Sequence, residues 1–411
     1  IELPPSTYLI IDLSTLQILE KTKYWQWPAR EKSENSKSHN YPNDDDFKSL
    51  LVDKIKSRCV SDVPISMLMS GGLDSSLIAT LLPAEIRANI TAFTLAFADS
   101  DFDESKNAIS IAKFLGIKHL VIEANKYSLA EAVDECISRM DLPILDSASL
   151  SLYFICREVA KEFKVCLTGD GGDEIFDGYV LQKYEKTLNF IRKLNFPHLI
   201  DFPLKLVNLF EQKDKYLSWR FKLERVKDVM EIQNFSLPEI ALSPFAGLPL
   251  LRSLTNHINS TTNSQSVPEN ITAGEYYRNF ILPYLYLLKS DRMSMVNGLE
   301  LRAPLLSSDL VDFTLKFPEN VWKERYSGKK MIYRMLQNDL PGEMLQRKKH
   351  GFSVPFNSIK RLLEEPDWVL ETVGISKKQA SAIWNTNSEN AGHASWALLV
   401  INQFILRGRF N

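Results

Sequence analysis

Apolar and polar positions alternate along the first half of the chain in blocks that predict strands and helices in turn. Short apolar runs predict four buried strands, at 65–69, 90–97, 119–122 and 165–167. Apolar residues at helical spacing predict helices around them, at 47–58, 77–82, 101–116, 129–140 and 150–163. Strands that alternate with helices are typical of a parallel sheet. The pattern therefore predicts an α/β fold, in which a parallel sheet carries helices on both faces.

The same pattern divides the chain into three parts. Residues 1–46 are predicted to contain N-terminal strands and then a polar linker rich in Ser, Asn, Lys and Asp. Residues 47–180 hold the alternating strands and helices and are predicted to form the α/β core. Residues 181–411 are predicted to be mainly helical, with a long helical pattern over 272–297 that Pro283 is expected to kink.

Composition argues against several kinds of partner and binding site. The 49 basic and 51 acidic residues nearly balance, so nothing favours binding to nucleic acid or to an anionic membrane. No apolar run approaches the ~20 residues that cross a bilayer, and no signal peptide opens the chain. The 4 cysteines lack C-x-x-C spacing and predict reduced thiols, while the 6 histidines lack the spacing of a zinc site. A cytoplasmic protein is expected.

Glycine and hydroxyl residues follow the first predicted buried strand directly. The stretch is Ser70-Gly71-Gly72-Leu73-Asp74-Ser75-Ser76. Glycines at a turn from strand to helix let backbone N–H groups approach an anion, and the helix N-terminus adds a positive dipole. The stretch lacks the G-x-x-x-x-G-K-[ST] pattern of a P-loop. It predicts a different kind of phosphate-binding loop, the alternative being a glycine turn capped by Asp74 and Ser75.

A second loop of this kind follows the last predicted strand of the core. Residues 168–179 read Thr-Gly-Asp-Gly-Gly-Asp-Glu-Ile-Phe-Asp-Gly-Tyr, with 4 glycines and 4 acidic residues. Carboxylates held this close repel one another, and a divalent cation would relieve that repulsion. In parallel sheets, ligands bind beyond the carboxyl ends of strands. The loop therefore predicts a metal site next to the phosphate loop, the alternative being a solvated acidic loop.

Four separated stretches together resemble one known family. They are the loop at 70–76, the Gly-Asp loop at 168–179, the Asp-Arg…Gly-Leu-Glu-x-Arg-x-Pro stretch at 291–304 and Arg-x-Lys-x-Gly-Phe at 347–352. In order and spacing they resemble the synthetase domain of the glutamine-dependent asparagine synthetases, a group that includes β-lactam synthetases and lasso-peptide cyclases. The resemblance implies an adenine-nucleotide α-hydrolase-like sheet, followed by a mainly helical part that completes the synthetase site.

The resemblance also indicates a missing part. The family begins with a glutaminase domain whose nucleophile is an N-terminal Cys, whereas this sequence begins at Ile1. Residues 3–25 resemble the join between the glutaminase and synthetase domains. We therefore expect either a piece trimmed from a longer chain or a protein that takes nitrogen from another source, such as a separate glutaminase subunit.

The reaction that the resemblance implies is ATP-dependent, AMP-forming amide synthesis with Mg²⁺. A substrate carboxylate is adenylated with release of pyrophosphate, and ammonia then displaces AMP. Aspartate is the default acid, which makes asparagine the product. Two alternatives stay open: a biosynthetic relative that forms another amide or a cyclic amide, and a non-catalytic ATP-binding domain. The oligomeric state is open as well, with a homodimer as one alternative.

Individual residues take implied roles from the family positions that they match. The implied ATP-binding residues are Met69, Ser70, Gly71, Gly72, Asp74, Ser75, Ser76, Leu95, Thr168 and Gly169. Asp74 and Asp173 match positions that bind Mg²⁺, and Lys349 matches a lysine that neutralises charge at the α-phosphate. Met69 and Leu95 are equally well explained as core residues of their strands.

Asp170 is the candidate base for the incoming amine, although the family often has Glu there. Because Asp is one methylene shorter, its charge is displaced by about 1 Å, a distance that matters where geometry governs rate. Thr168, Asp177 and Ser307 also depart from the usual Ser, Gly and Asp. These departures leave adenylation as the expected chemistry and leave the acyl substrate open.

Overall fold

A computed structural model describes most of the chain. The described residues are 3–30, 42–97, 105–194, 219–232, 235–245, 248–261, 267–268, 271–322, 329–345, 354, 356–386 and 389–408. Lys349, a predicted catalytic residue, lies outside these ranges. Within them, no helix has both the length and the apolar character that crossing a membrane requires.

The strands form a small hairpin and one larger sheet. Strands β1 (Thr7–Ile11) and β2 (Ile18–Lys23) pair antiparallel with each other. The larger sheet contains β3 (Ile65–Leu68), β4 (Thr91–Phe97), β5 (Lys118–Ala124), β6 (Val165–Leu167) and β7 (Glu300–Arg302). All its neighbouring strands are parallel, in the order β5-β4-β3-β6-β7, which confirms the predicted parallel sheet. The fifth strand, β7, comes from the C-terminal part and was not predicted.

Helices fill the rest of the described chain. The first group is α1 (Asp44–Arg58), α2 (Leu73–Leu81), α3 (Ala84–Arg87), α4 (Ser105–Leu115), α5 (Lys126–Arg139), α6 (Ala148–Val159), α7 (Gly172–Ile175) and α8 (Val180–Leu194). The second group is α9 (Trp219–Glu231), α10 (Leu237–Leu242), α11 (Pro249–Thr261), α12 (Ala273–Tyr276), α13 (Leu288–Met295), α14 (Ser308–Leu315), α15 (Glu319–Trp322), α16 (Lys330–Leu336), α17 (Gly342–Leu345), α18 (Phe356–Lys360), α19 (Lys377–Trp384) and α20 (Glu389–Leu406).

The two faces of the sheet bury separate hydrophobic cores, because successive side chains of a strand point to opposite faces. Leu68 of β3 belongs to the core that contains α5, α6 and the C-terminal helices. Its neighbours Met67 and Met69 belong to the core that contains α1, α2, α4 and α16. On β4, Phe93 and Ala92 divide in the same way. Helices therefore cover both faces, as the alternating pattern predicted.

The order in which strands are added reverses at the middle of the sheet. From β3 the chain adds β4 and β5 on one side, and β6 and β7 then add on the other. Such a switch point leaves a crevice beyond the carboxyl ends of the two central strands. The loops after β3 and β6 lie at this crevice, because these two strands are neighbours.

Pro283 lies within a π-helical segment, Tyr277–Leu287, that joins α12 to α13. Proline lacks an N–H group and its ring clashes with the preceding turn, so α-helical bonding cannot continue through it. The helical pattern predicted over 272–297 therefore changes helix type at Pro283, and the kink stays a prediction.

Candidate functional site

The loop after β3 is held in one conformation by contacts that need glycine. Gly71 has φ +75°, and a Cβ there would lie 2.8 Å from the backbone nitrogen of Ala108. The Asn107 side chain donates to the Gly71 carbonyl at 2.6 Å. Ser70 Oγ accepts from the Gly72 N–H at 3.2 Å. Gly71 thus allows the loop to pack closely on α4, whereas the predicted approach of backbone N–H groups to an anion stays a prediction.

Helix α2 begins within this loop, earlier than the apolar pattern predicted. Its first turn contains the polar residues Asp74, Ser75 and Ser76, all buried. The hydroxyls of Ser75 and Ser76 donate to the Gly72 carbonyl at 3.2 and 2.7 Å. Hydrophobic periodicity missed this turn because its side chains face the crevice and the loop.

The second loop packs directly on the first. A Cβ on Gly169 would lie 3.1 Å from the Cβ of Asp74, so glycine is needed for the approach. Gly171 has φ +90° and precedes α7, which begins the turn that carries Asp173. The two loops therefore meet at the crevice beyond β3 and β6, as expected from their positions after neighbouring strands.

A lysine that the sequence did not single out joins the two loops. Lys329 Nζ lies 2.6 Å from Asp74 Oδ1 and 2.7 Å from Asp173 Oδ1. Lys329 is only 5% exposed, and its own backbone is left-handed, with φ +52°. It precedes α16, 150 residues or more after either loop in the sequence. Its position could not follow from spacing, because only the tertiary fold brings it here.

The two carboxylates fit the role of magnesium ligands. Both contact one ammonium group, so their oxygens lie close enough together to bind one cation. Carboxylate oxygens suit Mg²⁺, which usually keeps several waters and takes phosphate oxygens as further ligands. The described residues contain no group of three or more His, Cys, Asp or Glu side chains that could hold a metal.

A cavity of about 360 Å³ opens beside these loops. Ser70, Asp74, Ser75, Thr168, Gly169 and Asp173 line one part of it. Leu152, Leu282 and Tyr286 supply apolar wall, and Asp146, Lys289 and His393 bring polar and charged groups from other parts of the chain. The structure thus brings most of the predicted site residues to one cavity and adds residues that were not predicted.

Asp170, the predicted base, also lines the cavity. Its Oδ2 accepts hydrogen bonds from the Thr168 hydroxyl at 3.1 Å and from the Ser290 hydroxyl at 3.0 Å. Ser290 lies on α13, so a helix of the C-terminal part positions a side chain of the core. This second hydrogen-bond donor to the Asp170 carboxylate was not predicted.

Met69 and Leu95 lie differently from the other predicted nucleotide contacts. Both side chains are buried, Met69 in one hydrophobic core and Leu95 in the other. The alternative given by the sequence, plain core residues, describes these side chains. A contact between their backbone and a nucleotide stays a prediction.

Asp177 occupies a position where the family resemblance led us to expect glycine. Its φ of +53° is left-handed, a conformation that Asp adopts more readily than most residues. The buried carboxylate pairs with Arg30, lies 3.9 Å from Arg278 and accepts from Gln182 at 2.9 Å. These contacts compensate the backbone strain and fix the end of the loop that carries Asp173.

Glu174 is a buried acid beside the predicted metal ligands. It is 2% exposed and accepts a hydrogen bond from the Tyr179 hydroxyl at 2.6 Å. Burial, and next the charge of Asp173, raise the pKa of Glu174 to about 7. Its charge state therefore changes near neutral pH.

Replacing Glu174 by Gln is expected to change how stability depends on pH. A raised folded-state pKa means that the folded protein binds more protons than the unfolded protein between about pH 4.5 and about pH 7. Stability therefore falls as the pH rises through this window, by up to about 3 kcal/mol from this group. Urea unfolding without magnesium should show a larger gain in stability from the substitution at about pH 8 than at about pH 5. An equal effect at both pH values would contradict the assignment.

Comparison with known proteins decides the family. A family model described as asparagine synthase matches residues 46–398, which include both loops, Lys329 and β7. The chain belongs to the asparagine synthase family.

Several curated family relatives are similar over most of the chain. The putative glutamine-hydrolysing asparagine synthetase of Mycobacterium tuberculosis is 28% identical over 353 residues, which are 81% of this chain and 51% of that protein. Asparagine synthetase 1 of Bacillus subtilis is 26% identical, over 82% of this chain and 53% of its own. Amidase chyE of Penicillium rubens is 24% identical, over 77% and 52%. The chain spans about half the length of these relatives.

Proposed function

We propose that this chain forms an amide by way of an acyl-adenylate. A carboxylate oxygen of the acid attacks the α-phosphorus of ATP, the bond from that phosphorus to the bridging oxygen breaks, and pyrophosphate leaves. The nitrogen of ammonia then attacks the acyl carbon. The carbon–oxygen bond to AMP breaks, and a base takes a proton from the nitrogen. Aspartate is the proposed acid, which gives asparagine.

The observation that carries the proposal is the convergence of Asp74, Asp173 and Lys329 at the switch point of the sheet. The barrier to adenylation is electrostatic, because a carboxylate must approach a polyanion. A positive charge held beside two carboxylates, at the end of a glycine loop, suits a triphosphate with its cation. Together with Lys349, the proposed partner of the α-phosphate, this arrangement favours catalysis over nucleotide binding alone.

Each part of the site has a proposed task. Asp74 and Asp173 would hold Mg²⁺, which offsets the negative charge of the phosphates when bound. Backbone N–H groups of residues 70–76 would bind the leaving pyrophosphate, with Lys329 as a further cation. Thr168 and Gly169 would contact the nucleoside.

The two predicted catalytic residues complete the proposal. Asp170 would accept the proton from the attacking nitrogen, with its carboxylate oriented by Thr168 and Ser290. Lys349, outside the described residues, would neutralise charge at the α-phosphate in both steps. Named relatives are glutamine-hydrolysing and about twice as long as this chain, so we also propose that a glutaminase domain or subunit supplies the ammonia.

Pyrophosphate release tests the proposal directly. The protein is mixed with ATP, Mg²⁺ and ammonia, and candidate acids are added one at a time. Aspartate-dependent release with asparagine and AMP as products supports the proposal. Release only with a different acid supports a relative that forms another amide or a cyclic amide. Retention of ATP with no release for any acid supports a binding domain.

A further inference from the structure

An ion pair on the cavity wall has no task in the reaction described so far. Lys289 Nζ lies 2.5 Å from Asp146 Oδ2, and the two side chains are 13% and 23% exposed. Both line the same cavity as the phosphate loop. Asp146 lies two residues before α6 and accepts from the Ala148 N–H at 3.0 Å, whereas Lys289 belongs to α13.

The ion pair is connected to the reacting end of the cavity. Ser290 follows Lys289 in α13 and donates to Asp170, the proposed base. Asp170 in turn belongs to the loop that carries Asp173. One continuous wall therefore leads from the proposed metal ligands through Asp170 to the ion pair.

Several neighbouring groups contact the ion pair or act on the charge of Asp146. Burial acts to raise the pKa of Asp146, but Lys289 outweighs it together with the Ala148 N–H, so the pKa lies below its ordinary value. The Lys289 ammonium also lies 5.1 Å from the centre of the Tyr286 ring. His393 of α20, hydrogen-bonded to Ser147 at 3.0 Å, lines the cavity beside them.

We propose that Asp146 and Lys289 form the subsite for the α-ammonium and α-carboxylate groups of an amino acid whose side-chain carboxyl is activated. This inference rests on the proposed function and adds the residues that select the acid. Partly buried charges are costly when left unpaired. An amino-acid zwitterion can exchange with the ion pair, because its ammonium meets Asp146 and its carboxylate meets Lys289.

The same exchange rejects acids that carry only one of the two groups. Succinate lacks the ammonium and would leave Asp146 facing no new cation. β-Alanine lacks the second carboxylate and would leave Lys289 facing no new anion. Two effects then favour aspartate over these acids. Aspartate forms both ion pairs, and succinate or β-alanine leaves one charge of the subsite unpaired.

The test uses Asp146→Asn and Lys289→Gln in the full chain. KM and kcat are measured by pyrophosphate release for aspartate, succinate and β-alanine, and KM for ATP is measured with each acid. Asn keeps an oxygen that can cap α6, so the first variant removes the charge and retains the cap. Lys289→Arg keeps the charge and should retain more affinity for aspartate than Lys289→Gln.

A crossed pattern is expected. Asp146→Asn should raise KM for aspartate about tenfold or more and should reduce the preference for aspartate over succinate. Lys289→Gln should raise KM for aspartate similarly and should reduce the preference over β-alanine. KM for ATP should change less than about twofold, because the phosphate loop is unaltered.

A second ion pair, between a residue close to Asp146 in the sequence and a residue of α13, provides a matched control. Asp141 pairs with Arg292 of α13 at 2.8 Å, but these side chains are 56% and 38% exposed. Neither residue is among those that line the cavity in the described part of the chain. Asp141→Asn should leave all three preferences unchanged.

The outcomes separate the subsite from the reaction. Suppose that the unmodified protein uses aspartate and that each variant raises KM for all three acids by the same factor. This result would overturn the subsite and leave the proposed function standing. Equal use of succinate and aspartate by the unmodified protein would overturn the subsite too. No pyrophosphate release by the unmodified protein with any acid would overturn the proposed function, and the subsite with it.

Discussion

Replacing Lys329 by methionine should lower the rate of pyrophosphate formation by about a hundredfold to a thousandfold. The ammonium group stands between Asp74 and Asp173, at the place where the phosphates and their cation are proposed to bind. Removing it takes away a fixed positive charge that the leaving pyrophosphate would need. Single-turnover release of pyrophosphate from ATP, with saturating acid and Mg²⁺, measures this loss.

The same substitution should destabilise the protein in the absence of magnesium. Asp74, which is buried, and Asp173, which is partly buried, would then lose the ammonium group that both contact, and breaking a buried ion pair costs about 3–5 kcal/mol. Added Mg²⁺ should restore part of this stability. Lys48→Met is the control. It removes the lysine of an ion pair with Asp339 in which the two side chains are 44% and 34% exposed, so the loss of stability should be much smaller. A Lys329 variant with unchanged rate and stability would remove this lysine from the site.

Replacing Asp170 by asparagine should separate the two steps of the reaction. Amide formation is expected to fall by about a hundredfold to ten-thousandfold, because no base would take the proton from the attacking nitrogen. Adenylation should change by less than about tenfold, since Asn can still accept from Thr168 and Ser290. Rapid-quench measurement of pyrophosphate and asparagine in the same samples distinguishes the two steps.

The glutamate variant provides the matching control. Asp170→Glu keeps the charge and restores the side chain that the family often has at this position, so amide formation should persist. Equal losses of pyrophosphate and asparagine in Asp170→Asn would contradict the assignment of Asp170 to the second step.

Most of the central sheet was predictable because its signals are local. Apolar runs marked β3, β4, β5 and β6, since buried parallel strands consist of continuous apolar residues. The sequence did not predict strand β7, because Glu300 and Arg302 are polar residues of an edge strand and only Leu301 is apolar. Its place depends on pairing with β6, more than 130 residues earlier in the chain.

Some residues of the site could likewise be predicted from local sequence, and others could not. Both glycine loops were predictable, because their residues are contiguous and their glycines meet local backbone demands at Gly71 and Gly171. Lys329, Asp146 and Lys289 were not, because no local sequence pattern distinguishes these charged residues from others in the chain. Their contacts come from segments that are far apart in sequence and meet only in the folded chain.

Isotope transfer from the acid to AMP is the most direct test of the central claim, that the chain joins a carboxylate to AMP. Aspartate labelled with ¹⁸O in its side-chain carboxylate is incubated with ATP, Mg²⁺ and ammonia, and AMP is analysed by mass spectrometry. We expect one labelled oxygen in AMP, because the adenylate breaks between the acyl carbon and the bridging oxygen. Unlabelled AMP, or ADP and phosphate as the products, would contradict it.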